Sequence, residues 1–294
     1  SYIGHSALRI WTMGEDAMQR EARENEIIEM EKIVSDAMRS GAIGFATSTF
    51  EGHNGANGIP MPSRFASKEE ISRLIKAMAI DGRGIFMLTK SNNTEIKDII
   101  KLLGNVDRPT MVAALLDNPM KKNWALNVLE DITQAQNKGY EIWGQVSCRP
   151  LTMEFTMNEP YMLEGLSAWK DYMIQNTVED RKKVLKKIEF RKAVLAEILD
   201  TSKNKLFVGN WEKIKLINTK NSVLSKHIGK NLLEISDFYN KEPFDWLLDN
   251  AINDGFEDLF AAELLNSENN QVEKLLKHQY LSLIHISEPT RPSS

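Results

Sequence analysis

Five pairs of residues stand where an apolar run gives way to polar residues: His5 and Ser6, Thr47 and Ser48, Thr89 and Lys90, Asp117 and Asn118, Cys148 and Arg149. They offer an imidazole, a carboxylate, a thiol, two cations and several hydroxyls, a set suited to a small polar substrate. It is a thin supply for a divalent metal, which needs three or four N, O or S ligands. The other histidines add little, because His53 lies in the Gly-rich stretch EGHNGANGIP and His227, His278 and His285 lie in the C-terminal third. Each candidate also has a plain structural use. His5 at a strand end can bond backbone, or face a substrate or the surroundings of a metal. Cys148 on a buried strand reads as a small hydrophobe, with no histidine near in sequence to make a thiolate. Lys90 reads as solvated. Arg149, with Pro150 behind it, can clamp a carboxylate with two parallel donors or pair with a neighbouring loop. The loop 51–64 is either an active-site flap or a surface connection.

Strands must position these pairs. AIGFAT (42–47), GIFMLT (84–89), TMVAALL (110–116) and YEIWGQVSC (140–148) are short runs of the kind found in strands buried on both faces. Helical stripes separate them. Ile27, Met30, Val34, Ala37 and Met38 recur at helical spacing, with Gly41 as a left-handed stop. Ser67 to Glu70 spells a capping box ahead of Ile71, Leu74, Ile75 and Met78. TEIKDIIKLLG gives a helix from about 94, and 120–138 is helical up to Gly139. This alternation, without hairpin signals, requires parallel strands with helical crossovers. No strand is followed by GxGxxG or GxxxxGK[ST], so the expected fold is α/β, a (β/α)8 TIM barrel rather than an open nucleotide-binding sheet. Active-site residues of such barrels lie where the five pairs stand, at the C-terminal ends of the strands. After Pro150 the expectation is a helical insertion at 160–200, a strand at 206–216 and a helical 229–278.

The bulk numbers narrow the partners. A chain of 294 residues, 42% apolar and 27% charged, can bury a real core. Its 41 acidic and 37 basic residues are interspersed, with a net charge of -4. That argues against nucleic acid and for a small-molecule substrate. One cysteine excludes an internal disulfide and fits a reducing cytoplasm. No apolar run reaches about 18 residues, so no membrane span is expected.

The segment GHSALRIWTMGEDAMQREARENEIIEMEKIVSDAMRSGAIGFATS resembles a stretch of the N-acyl-D-amino-acid deacylases, in the amidohydrolase superfamily, that reads GHS-x-LR, then MG, then an acidic helix ending in AGA-x-G-[FI]-ST. The similarity continues through PMPSRFASKEEI, GRGIF, QVSCRPLTMEF, EGLSAWK and EPFDWLLDNA, as in a longer branch of that family, and covers about nine-tenths of the chain. The resemblance implies a metal-dependent hydrolase that cleaves a linear amide, such as that of an N-acyl-D-amino acid, with zinc or another divalent metal activating water. It implies His5, Ser6 and Arg149 as substrate-facing groups, Arg149 for the substrate carboxylate. The family's metal-binding HxH pair and its terminal GxSDxGAH strand are not in this chain. Residues 1–281 are therefore expected to be an incomplete barrel domain, truncated at both ends, without catalytic or metal residues of its own and inactive alone. The stretch 282–294, SLIHISEPTRPSS, is expected to lie outside the fold, leaving His285 without a function. Two further family histidines correspond here to Thr89 and to Leu115 or Leu116, which leaves the number of metals open. Two other readings stay open: a barrel that has lost catalysis and serves as a binding or assembly scaffold, and an amidohydrolase acting on formamides or cyclic amides.

Overall fold

The structure is a computed structural model that describes residues 1–55, 58–91, 93–202, 205–253 and 255–284; His285 and the rest of 285–294 lie outside the described residues. The described residues divide into two compact units: those of 1–118, 123–148 and 268–284 form the first, and those of 119–122 and 149–267 the second. The sequence expectation carries one barrel domain through residue 281.

In the first unit β1 (Tyr2–Gly4) runs directly into α1 (His5–Met13), followed by α2 (Glu24–Arg39) and β2 (Gly44–Ser48). Then come α3 (Lys68–Met78), β3 (Ile85–Thr89), α4 (Ile96–Leu103), β4 (Thr110–Ala113), α5 (Trp124–Asn137) and β5 (Ile142–Ser147). The helical stripes fall where their spacing puts them: Ile27, Met30, Val34 and Met38 on α2 and Ile71, Leu74, Ile75 and Met78 on α3 are all buried. Gly41 takes the positive φ of 100° that turns the chain out of α2. The strand at 110–116 is shorter than expected and ends at Ala113.

The second unit holds β6 (Leu151–Phe155), α6 (Tyr161–Glu164), α7 (Lys170–Met173), α8 (Val178–Leu185), α9 (Ile188–Leu199), β7 (Ile214–Asn218), α10 (Leu232–Phe238), α11 (Pro243–Ile252) and β8 (Leu259–Leu265). Its three strands form an antiparallel sheet in the order β6-β8-β7. The helical insertion at 160–200 is present as α6 to α9. The strand expected at 206–216 lies instead at 214–218, after a 3-10 turn at Trp211–Lys213. The helical expectation for 229–278 is overturned by β8. Phe260, Ala262 and Leu264 are buried on one face and alternate with half-buried neighbours, a period of two that outweighs the helix preference of LFAAELL.

The chain then returns to the first unit through α12 (Asn269–Leu276) and β9 (Leu281–Ile284). The first unit's sheet is parallel, in the order β1-β2-β3-β4-β5-β9. A doubly wound sheet reverses its strand order at a switch point, whereas this one adds each strand on the same side as the last. The helices follow in step, α2 packing on α3, α3 on α4 and α4 on α5. This one-way winding is the barrel type of α/β structure. Ser282, Leu283 and Ile284 pair with Gln145, Val146 and Ser147 of β5, so the boundary expected at residue 281 falls inside a strand.

Two positions yield predictions. A β-carbon added at Gly44, where β2 meets β3, would overlap the backbone carbonyl of Ile85, which cannot move without breaking the ladder. Gly44→Ala should cost about 3 kcal/mol of stability in urea denaturation; an effect within experimental error would show that the strands do not approach as described. His227 is the second position. It is the one histidine of the second unit, is buried, and has no hydrogen-bond partner on either ring nitrogen, facing the rings of Phe238 at 4.9 Å and Tyr239 at 5.6 Å. Burial, then Lys230 and Lys226, hold its imidazole below the usual value. Protonation therefore favours the unfolded chain, and stability present above about pH 6.5 is lost as pH falls below it. The hydrogen-exchange protection factors of α10, taken relative to the intrinsic rate at each pH, should fall between pH 7 and 5.5, and His227→Phe should remove most of that fall.

Candidate functional site

The two faces of the parallel sheet differ in chemistry. Phe45, Phe86, Leu88, Val112, Ile142 and Val146 belong to the buried apolar core that the helices cover. On the other face the register sets Ala46, Met87, Met111 and Trp143 side by side, and one step nearer the C-terminal ends Ser48, Thr89, Ala113, Gln145 and Ser282. That second row is mostly neutral hydrogen-bonding groups. Over the ends of β1, β2 and β3 it opens into a pocket of about 200 Å³, lined among others by Ser6, Ser48, His53, Ser63, Met87 and Thr89.

Beneath the pocket lies a buried polar network. His5 opens α1, and its imidazole is 1% exposed. Its Nε2 lies 2.8 Å from Oε1 of Glu70 and its Nδ1 lies 2.7 Å from Oγ1 of Thr47. The other Glu70 oxygen accepts from Nη1 of Arg9, one turn along α1 from His5. Arg9 is fully buried, and its Nη2 donates to the carbonyl of Arg20 at 2.7 Å. For His5, burial lowers the imidazole pKa further than the Glu70 carboxylate raises it, so the ring is neutral at pH 7. Burial pushes the Glu70 carboxyl up, but the hydrogen bonds from His5 and Arg9 outweigh it and hold the group below the usual carboxylate range. An ionised carboxylate only accepts, so Nε2–H of His5 donates to Glu70 and the bare Nδ1 accepts from the Thr47 hydroxyl. One charge pair and one neutral relay thus join α1, the first turn of α3 and the end of β2.

Glu70 answers to its sequence reading only in part. Ser67 caps α3 by accepting from the Glu70 amide at 3.1 Å, but the Glu70 carboxylate turns to His5 and Arg9. No local pattern gives such a contact, because its partners stand 61 and 65 residues away.

His5 and Ser6 are brought together at the pocket, His5 with both nitrogens engaged and Ser6 accepting at Oγ from the Ser63 amide at 3.2 Å. Arg149 belongs to the other unit; its side chain is exposed and its carbonyl accepts from Nδ2 of Asn266 at 3.1 Å. Lys90 is not solvated but buried, because its Nζ donates to the carbonyls of Ser91 (3.2 Å) and Thr94 (3.0 Å) and lies 4.9 Å from the Trp124 ring centre. Cys148 is exposed rather than buried, since β5 ends at Ser147 before reaching it. Asp117 is buried, and burial together with the charge of Glu268 pushes its carboxyl up. The sequence reading passed over a close pair on the pocket wall, Ser48 Oγ and His53 Nδ1, 2.7 Å apart. A larger concavity of about 600 Å³ lies between α9 and α11, where Arg191 binds Asp245 and Asp249, and Lys241 binds Asp249.

Among the described residues no three of His, Cys, Asp and Glu converge as metal ligands. His5 is spent on Thr47 and Glu70, and Thr89 ends β3, so the described donor set does not fit a zinc site.

The parallel sheet and its one-way winding define an α/β structure of the TIM-barrel type. Among solved structures the chain is similar to a D-aminoacylase described as defining a novel subset of amidohydrolases, with a TM-score of 0.50 and 16% identity. It is similar also to the N-acyl-D-glutamate deacylase of Bordetella bronchiseptica complexed with zinc and a phosphonate inhibitor, with a TM-score of 0.52 and 14% identity. Each match covers 96% of this chain and 46% of the other, so the chain spans less than half the length of these proteins. At such identities the likeness is one of fold, and it meets the family resemblance read from the sequence. No protein-family model and no curated protein sequence matches the chain.

The buried network predicts its own energetics. Glu70→Ala leaves the Arg9 guanidinium buried without its counter-charge and should cost about 3–5 kcal/mol in denaturant unfolding. The double variant Arg9→Met with Glu70→Leu, which removes both charges, should be less destabilised than Glu70→Ala alone. A Glu70→Ala variant within 1 kcal/mol of the wild type would mean that the charge is compensated elsewhere.

Proposed function

We propose that this chain is part of a hydrolase of the amidohydrolase kind that cleaves a linear amide bond, of the class found in N-acyl-D-amino acids. The observation that carries this reading is the fold shared over 96% of the chain with an N-acyl-D-glutamate deacylase. The motifs from GHSALR to GAIGFATS support it from the sequence. The pocket at the strand ends suits the uncharged part of such a substrate, since Ser6, Ser48 and Thr89 supply hydroxyls and Met87 an apolar wall. In this reading His5 lines the substrate pocket while both its ring nitrogens are engaged by the protein. It holds the Thr47 hydroxyl and, through Glu70, the start of α1 that presents Ser6. Arg149 is the group assigned to the substrate carboxylate, for which an exposed guanidinium offers a two-donor fork.

The test uses the protein encoded by the full reading frame that contains this chain. It should release free amino acid from N-acyl-D-amino acids, faster than from their L-isomers. Arg149→Lys should lower kcat/KM for these substrates by on the order of 10-fold to 100-fold, and far less for a neutral amide without the carboxylate. Binding without turnover of any acyl amino acid would reject the hydrolase reading. Equal losses on both substrates would remove Arg149 from it.

A further inference from the structure

We propose that Ser48 and His53 form a nucleophile and base pair, able to take an acyl or phosphoryl group from an activated ester onto the Ser48 hydroxyl. Ser48 is the last residue of β2, half-exposed on the wall of the pocket at the C-terminal ends of the strands. Its Oγ lies 2.7 Å from Nδ1 of His53, the distance over which a hydroxyl passes its proton to an imidazole. The backbone amide of Phe50 donates to the same Oγ at 3.3 Å, which fixes the direction of the hydroxyl relative to the ring.

The His53 backbone is held on both sides and its ring on one. The His53 amide donates to the Phe50 carbonyl at 3.1 Å, while its own carbonyl accepts from the Met61 amide at 3.2 Å and from Nη1 of Arg64 at 3.3 Å. The Phe50 ring meets the imidazole edge-on with centroids 5.3 Å apart. Burial and the Arg64 charge hold the imidazole below its usual pKa, so at pH 7 it is neutral and can accept a proton. Nothing in this arrangement calls on a metal or an amide substrate, so the proposal stands or falls apart from the amide-hydrolase reading.

With an alkyl fluorophosphonate the step balances as follows. The Ser48 oxygen forms a bond to phosphorus, the P–F bond breaks, fluoride leaves with the electron pair, and the hydroxyl proton passes to Nδ1 of His53 and on to water. The chain is treated with the reagent at pH 7.5 and digested, and adducts are located by peptide mass spectrometry. The expected result is an adduct on Ser48 that forms faster than on any other serine of the chain and is absent in Ser48→Ala. His53→Gln, with its folding checked by circular dichroism, should slow labelling of Ser48 on the order of 100-fold. If that variant does not fold, the wild-type pH profile decides: labelling that rises with one ionisation below pH 6.5 and then levels supports the pair. Labelling of Ser48 no faster than of other serines, an unchanged rate in folded His53→Gln, or a rate rising only above about pH 8, overturns it.

Discussion

Glu70 carries a negative charge where water does not reach it, and the first unit is arranged around keeping that charge satisfied. A carboxylate moved into a protein interior loses several kcal/mol of hydration, which attraction to a partner repays only when the geometry is close and the remaining lone pairs are used. Here one oxygen takes the Arg9 guanidinium and the other takes the His5 ring. Arg9 comes with a cost of its own, and the carbonyls of Arg20 and Ala17 take up its other end. The consequence is geometric. The start of α1 and the first turn of α3 cannot shift apart without exposing an unpaired charge, and the end of β2 is tied to them by the neutral Thr47–His5 hydrogen bond.

The pocket inherits that order. Thr47 is locked by His5, and the next residue along β2, Ser48, therefore leaves the strand in a fixed direction toward His53. Ser6 follows His5 on α1 and meets Ser63 from the loop before α3. The result is a small cavity walled by hydroxyls, methionines and the two histidines His5 and His53, with the Arg9–Glu70 charge pair outside its lining. Such a wall recognises uncharged polar groups.

Much of this was legible in the sequence, and what was not shares a physical cause. The stripes of α2 and α3, the stop at Gly41 and the parallel strands follow from local periodicity, because each of those helices buries one face and each strand is covered by helices. The barrel order follows from the absence of hairpin and phosphate-loop signals. β8 was missed because Leu, Ala and Glu favour helices, and only pairing with β6 and β7 makes LFAAELL a strand. Glu70 was legible as part of a helix cap, yet its charge pairs with residues more than 60 positions away. Lys90 read as solvated because nothing local announces Trp124. Ser48 and His53 stand five apart across an irregular turn, a spacing that matches neither helix nor strand and gives no pattern to find.

The charge states around Glu70 can be read directly by 15N NMR of the His5 imidazole in the intact chain. The account predicts a neutral ring at pH 7 with its proton on Nε2 and a bare Nδ1, and it predicts that protonation begins only below the usual histidine pKa of about 6.5. A doubly protonated ring at pH 7, or a proton resident on Nδ1, would contradict it.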